Sequence, residues 1–292
     1  LGMHRSGTSM LSGLLVIGMG YKTGSPLIGG AFDNPKGFFE LIPAVLQNDE
    51  FMAKQRIYWS VNVIAYDSKK ALKDKESGAV AFKEGERALA IYNNPDNVPY
   101  LQKDPRMCIT LKSWLPLLNH EPAIIFTYRH PLEVAMSLKK REKKFTLDHG
   151  LRLWIVYNMR AIQNSKDLCR VTTSNEAVLA KPLEEVRRLA NELTTRCGVP
   201  APPKTLAQED VDKFIDPSLQ HNKKERDAKE ASQPIITTYG DDCVVREYET
   251  TEKSGSPAAK RERSLYLKAM KIYCDFKSEA AFKEDYQWPE LN

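Results

Sequence analysis

No stretch of this sequence approaches the ~18 to 20 consecutive apolar residues that a membrane-spanning helix needs. Cysteines are few: Cys108, Cys169, Cys197, Cys243 and Cys274, an odd and widely dispersed set of five. They form no C-x-x-C or Cys/His cluster, so neither a metal site nor a disulfide framework is expected. His149 and His221 also lack a partner at metal-ligand spacing. A reducing, cytoplasmic setting follows as the default. There is no collagen-like period, no internal repeat, and no composition of a wholly disordered chain. Charge of one sign is not in large excess: 43 Lys plus Arg against 38 Asp plus Glu give +5. That bias is compatible with a bound anion and is thin support for a nucleic-acid partner, which would call for interleaved basic and aromatic residues.

What remains is a chain of 292 residues, 42% hydrophobic, with length for one large α/β domain. Ala123–Tyr128 (AIIFTY) reads as a buried strand, with Val98–Gln102 and Arg170–Thr173 as shorter candidates. Helical patterns cover 8–19, 42–55, 79–92, the segment after Pro105 through 118, 131 onward, 146–164, 182–195 and 264–276. Alternation of strands and helices predicts a mainly parallel sheet. After Val199 the pattern changes. Three prolines follow closely, and seven of the twelve residues in 219–230 are charged, predicting a solvated loop or helix. Residues 1–200 are thus the expected core, and 201–292 a polar extension with a closing helix, within the same domain.

Two motifs carry chemistry. Gly2-Met-His-Arg-Ser-Gly7-Thr8-Ser9 has the G-x-x-x-x-G spacing of a phosphate loop and leads straight into a helix. Such a loop aims backbone N–H groups and a helix N-terminus at a phosphate. Thr8 stands where nucleotide triphosphatases carry lysine, and the cation has moved inside the loop to Arg5. This argues against ATP or GTP hydrolysis. A glycine turn that merely starts a helix is the competing account. In the second motif, Arg129-His130-Pro131 follows the AIIFTY strand, with Ser137 eight residues after Arg129. An arginine leaving the carboxyl end of a parallel strand lies where open α/β sheets bind ligands. Ser137 has two readings: an anion contact, or a helix-interior serine bonding back to the carbonyl of Glu133. The basic run of Lys139, Lys140, Arg141, Lys143 and Lys144 reads as a solvated face.

Together these residues resemble the sulfotransferase family that uses 3′-phosphoadenosine 5′-phosphosulfate (PAPS). Arg5-Ser6-Gly7-Thr8-Ser9 resembles the loop for the 5′-phosphosulfate, and Tyr128-Arg129-His-Pro with Ser137 resembles the 3′-phosphate site. Asp33-Asn-Pro-Lys-Gly-Phe-Phe-Glu40, Lys103-Asp-Pro-Arg106 and Asn175–Glu184 resemble further stretches of bacterial-type members. The resemblance covers roughly 1–200 and implies a three-layer P-loop fold, a central mainly parallel sheet flanked by helices. It also implies PAPS as donor without a metal, and a small-molecule or carbohydrate acceptor. The strand that precedes the loop in that family is represented only by Leu1, so truncation of that first strand is expected. The family's late Arg-Lys-Gly element has no clear counterpart; Lys260-Arg261 lacks the glycine.

For the chemistry, Arg5 is the candidate for charge on the leaving oxygens, and Lys103 for the sulfonate. Glu40 is the candidate base, its pKa raised by Phe38 and Phe39; His4 is second choice, ahead of His120 and His130. Glu40 as an ordinary first-turn carboxylate, and Asp104 paired with Arg106, are the structural alternatives. A P-loop small-molecule kinase, or a non-catalytic anion- or nucleic-acid-binding module, are the alternative functions. Acceptor specificity is expected in loops such as 60–78 and 200–263.

Overall fold

Strand β1 (Ile124–Tyr128) forms where the apolar run led us to expect it, and pairs in parallel with β2 (Arg170–Ser174), Ile124 opposite Arg170 and Tyr128 opposite Ser174. The computed structural model describes residues 1–31, 36–142, 144–215, 223–224, 226–227, 233–239, 243–247, 250 and 253–291. It is an α/β structure rich in helix. Among the described residues the sheets are this parallel pair and an antiparallel pair, β3 (Ile235–Tyr239) with β4 (Cys243–Arg246). The expected strand at Val98–Gln102 reduces to one parallel bridge, Lys22 with Tyr100.

The chain divides into two compact units, one of 1–128 and 160–216, the other of 129–159 and 217–292. In the first, α1 (Thr8–Gly13) continues as a π-helical turn, Leu14–Gly18. Both bury Leu11, Leu14 and Leu15 against Val171 of β2 and against Val186, Leu189 and Leu193 of the helix Pro182–Cys197. That amphipathic helix starts with proline at its first position and stops at Gly198, whose φ of +67° suits a C-terminal cap. The helices Ile42–Ala53 and Met107–Trp114 enclose an aromatic cluster in which Phe51 meets Trp114 edge-on at 6.1 Å. Three further helices, Ser68–Glu76, Asn175–Ala180 and Gln208–Phe214, lie outside the helical patterns of the sequence.

The second unit holds the helix Pro131–Arg141, the first part of the helix Leu147–Asn164, the β3–β4 hairpin and the long helix Pro257–Lys277. A Cβ on Gly150 would lie 2.9 Å from Ala135 Cα, so glycine lets the first two helices approach closely. Residues 257–263, expected in the polar extension ahead of the closing helix, form the start of the long helix, where Ser256 caps the N-terminus by accepting from the Ala259 N–H.

Contrary to the expectation from their spacing, four of the five cysteines are paired. Cys169 is bonded to Cys197 in the first unit, and Cys243 to Cys274 in the second; only Cys108 is free, and it is buried. Dispersion along the chain hid these pairs because each closes a loop of about thirty residues that helix and strand packing brings together. Burial pushes the Cys108 thiol up to about 11, so it is not a ready nucleophile.

Candidate functional site

The phosphate-loop motif folds tightly. Ser6 N–H donates to Met3 C=O at 3.2 Å, and Arg5 and Gly7 both have left-handed backbone, φ +67° and +79°. A non-glycine residue rarely adopts that conformation, and residues held in it gather at ligand sites. Gly2 and Gly7 are required by packing. A Cβ at Gly2 would lie 2.6 Å from Thr127 C=O, and one at Gly7 would lie 2.1 Å from Asn175 Nδ2. Ser6 is fully buried, and its hydroxyl has no partner among the described residues. The N–H groups of Thr8 and Ser9, in the first turn of α1, have no intrahelical acceptor. Arg5 is half-buried; Thr8 is buried and Ser9 partly so. His4 packs on Trp59 with ring centroids 4.8 Å apart.

Of the Asp33–Glu40 stretch, residues 33–35 lie outside the described set. Lys36 donates to the carbonyls of Lys213 and Phe214 at 2.8 and 2.6 Å, at the C-terminal end of Gln208–Phe214. Phe39, with φ +57°, packs on Phe214. This seats Glu40 two residues ahead of the helix Ile42–Ala53, and its carboxylate does not serve that helix. It is 7% exposed and accepts from Lys103 Nζ at 2.6 Å, with Arg106 at 3.8 Å. Burial pushes its pKa up, while Lys103 and Arg106 oppose the rise. Burial also lowers Lys103, against the pull of Glu40.

The expected Asp104–Arg106 pair is present as well, at 3.1 Å, so both accounts of this motif hold together. Fully buried Asp104 also accepts from Asn48 Nδ2 at 2.8 Å, and Asn48 Oδ1 accepts from Thr110 and Trp114, each at 2.7 Å. Arg106 reaches Asp49 at 2.7 Å. Two motifs, 63 residues apart, thus meet on a hydrogen-bonded scaffold. Asn48 was invisible to sequence reading, since a lone amide inside a helix carries no motif. Asp104 and Arg106 were visible only as part of their motif.

In the second unit, Arg129, two residues before the helix Pro131–Arg141, is engaged by that helix. Its Nε and second amino group bond Glu133 Oε2 at 2.8 and 2.6 Å, and its carbonyl accepts from Trp154 Nε1 at 2.9 Å. Arg226, from the charged stretch, meets the other Glu133 oxygen at 2.8 Å. The buried carboxylate therefore holds two guanidinium groups near each other, a grouping no sequence spacing announced. Ser137 is buried on the same helix. His130 is buried with its ring edge-on to Tyr273 at 5.0 Å. Burial, then Arg226 and Arg129, hold its pKa well below the usual imidazole range, so it stays neutral. Among the described residues no cluster of His, Cys, Asp or Glu could hold a metal, and no helix is long and apolar enough to cross a membrane.

No protein-family model, curated protein or solved structure matches this chain.

Proposed function

We propose that the chain is a sulfotransferase that moves the sulfuryl group of PAPS to a hydroxyl or amine, on a three-layer P-loop α/β fold. The carrying observation is the buried 2.6 Å contact of Glu40 with Lys103, which joins two motifs that sequence reading assigned to one reaction. The phosphate loop fits an anionic group: a buried serine hydroxyl has no partner among the described residues, and the helix start offers N–H donors. The donor, when bound, supplies the sulfuryl group. The loop from Arg5 to Ser9 holds and orients it, and Arg5 meets charge developing on the leaving oxygens, a kind of contact whose loss costs on the order of 10²-fold in rate.

Glu40 takes the acceptor proton. Burial makes this carboxylate a stronger base, and Lys103 keeps it ionised until the proton moves. Arg129 and Ser137 are assigned to the 3′-phosphate on the motif resemblance alone. The two disulfides support work in an oxidising compartment rather than the cytoplasm.

The reading is tested with labelled PAPS and a panel of hydroxyl and amine acceptors. Label should pass to at least one acceptor class, and Glu40→Gln should abolish transfer while leaving affinity for 3′,5′-adenosine bisphosphate within about twofold. Full transfer by that variant would remove Glu40 as the base.

A further inference from the structure

In the first unit, residues 55–67 form a loop whose two ends are tied together. Gln55 Nε2 donates to Asp67 C=O at 2.8 Å, and Asp67 N–H donates to Gln55 Oε1 at 3.0 Å. Beyond that neck Ile57, Val63 and Tyr66 are buried, and the Tyr66 hydroxyl is bonded to Ser113 Oγ at 2.7 Å. Arg160 donates to Ile64 C=O at 2.6 Å. A surface loop that closes its ends and packs its own side chains is an Ω-loop, a form that often carries function.

At the tip, Tyr58 and Val61 exchange both backbone hydrogen bonds, at 3.1 and 3.0 Å. Residues paired in this way point their side chains to one face. That face is apolar and turned outward, with Tyr58 60% and Val61 46% exposed. On either side, Arg56 and Asn62 hold left-handed backbone, φ +58° and +57°. Residues other than glycine pay free energy for that conformation, and they gather at ligand sites. The loop is thus firmly anchored and locally strained, and it presents two large apolar side chains to solvent. Stability alone favours neither the strain nor the exposure. Trp59, beside Tyr58 in the turn, packs on the ring of His4, which precedes Arg5 in the phosphate loop. The tip is therefore continuous with the loop assigned to the donor.

We infer that the loop 55–67 is the acceptor-recognition element, in which Tyr58 and Val61 take a flat apolar ring that carries the reacting hydroxyl or amine. The role of acceptor contact rests on the sulfuryl-transfer reading. The chemistry of the tip selects an aromatic ring over a sugar. The backbone N–H and C=O groups of Tyr58 and Val61 are spent on each other, so they do not serve the hydroxyls of a saccharide. An aromatic ring needs none of them, since it stacks offset or edge-on against tyrosine and touches valine through apolar contact. The tied neck leaves little of the loop to be ordered on binding.

Calorimetry on the 292-residue chain, with 3′,5′-adenosine bisphosphate present, tests this with 2-naphthol and methyl β-glucoside as probes. Wild type should bind 2-naphthol. Tyr58→Ser combined with Val61→Ser should weaken that binding by about tenfold or more and leave bisphosphate affinity within about twofold. The inference is overturned if 2-naphthol binds both chains alike or neither, or if wild type binds the glucoside more tightly than 2-naphthol. Loss of 2-naphthol in the variant, with no bisphosphate bound by either chain, would keep the ring site and remove the sulfuryl-transfer reading.

Discussion

At Glu40, two opposed effects act on one carboxyl: burial favours the protonated form, and the Lys103 ammonium favours the ionised one. The net direction is upward. If Glu40 is the base, kcat/KM should rise with pH through a value above the ordinary 4.5, since only the ionised form takes a proton. A profile flat down to that value would contradict the role. Stability separates structure from catalysis at the same pair. Both side chains are about one-tenth exposed, so Lys103→Met leaves the buried carboxylate with the more distant Arg106, at 3.8 Å, and should cost about 3 kcal/mol in denaturant unfolding. Adding Glu40→Gln should restore most of that stability and none of the turnover. If the single variant unfolds like wild type, the pair is not structurally coupled. Glu40 and Lys103 were legible as separate motif residues. Their contact was not, because a 63-residue separation says nothing about which side chains converge.

Among the elements, the phosphate loop depends most on backbone shape. Gly7 and Gly78 both have positive φ, +79° and +72°, yet a Cβ has open space at Gly78 and strikes Asn175 at Gly7. Gly78→Ala should therefore cost only conformational strain, about 1 kcal/mol. Gly7→Ala should displace the loop as well and weaken 3′,5′-adenosine bisphosphate binding by about tenfold or more, read by calorimetry. Equal, small effects at both sites would mean that the loop does not bind the anion. The helices with an apolar face were readable from periodicity, Pro182–Cys197 above all. Ser68–Glu76 was not, because it buries only Ala71 and owes its start to Asp67, whose side chain accepts from the Lys69 and Lys70 N–H groups. The β3–β4 hairpin was also missed. Its first strand is mostly exposed, and neither IITTY nor the CVVR of β4, which buries Cys243 and Val245, alternates between apolar and polar residues in sequence.

On the scale of the whole molecule, the disulfides decide the environment in which the chain is stable. Each cross-link closes a loop of about thirty residues, for which chain-entropy arguments give about 3 to 4 kcal/mol. Under denaturing, non-reducing conditions, alkylation should label one cysteine, Cys108, and all five after reduction. Five labels without reduction would return the chain to a reducing setting. The α/β character followed from alternating patterns. The pairing of cysteines did not, since it depends on which ends of helix and strand meet. The central claim concerns what the molecule binds, and calorimetric titration tests it most directly. The 292-residue chain is titrated in turn with 3′,5′-adenosine bisphosphate, ATP–Mg²⁺ and a short oligonucleotide. Tight binding of the bisphosphate is expected, weakened by at least about tenfold in Arg129→Ala. Tight binding of ATP–Mg²⁺ or of the oligonucleotide, with none of the bisphosphate, would contradict it.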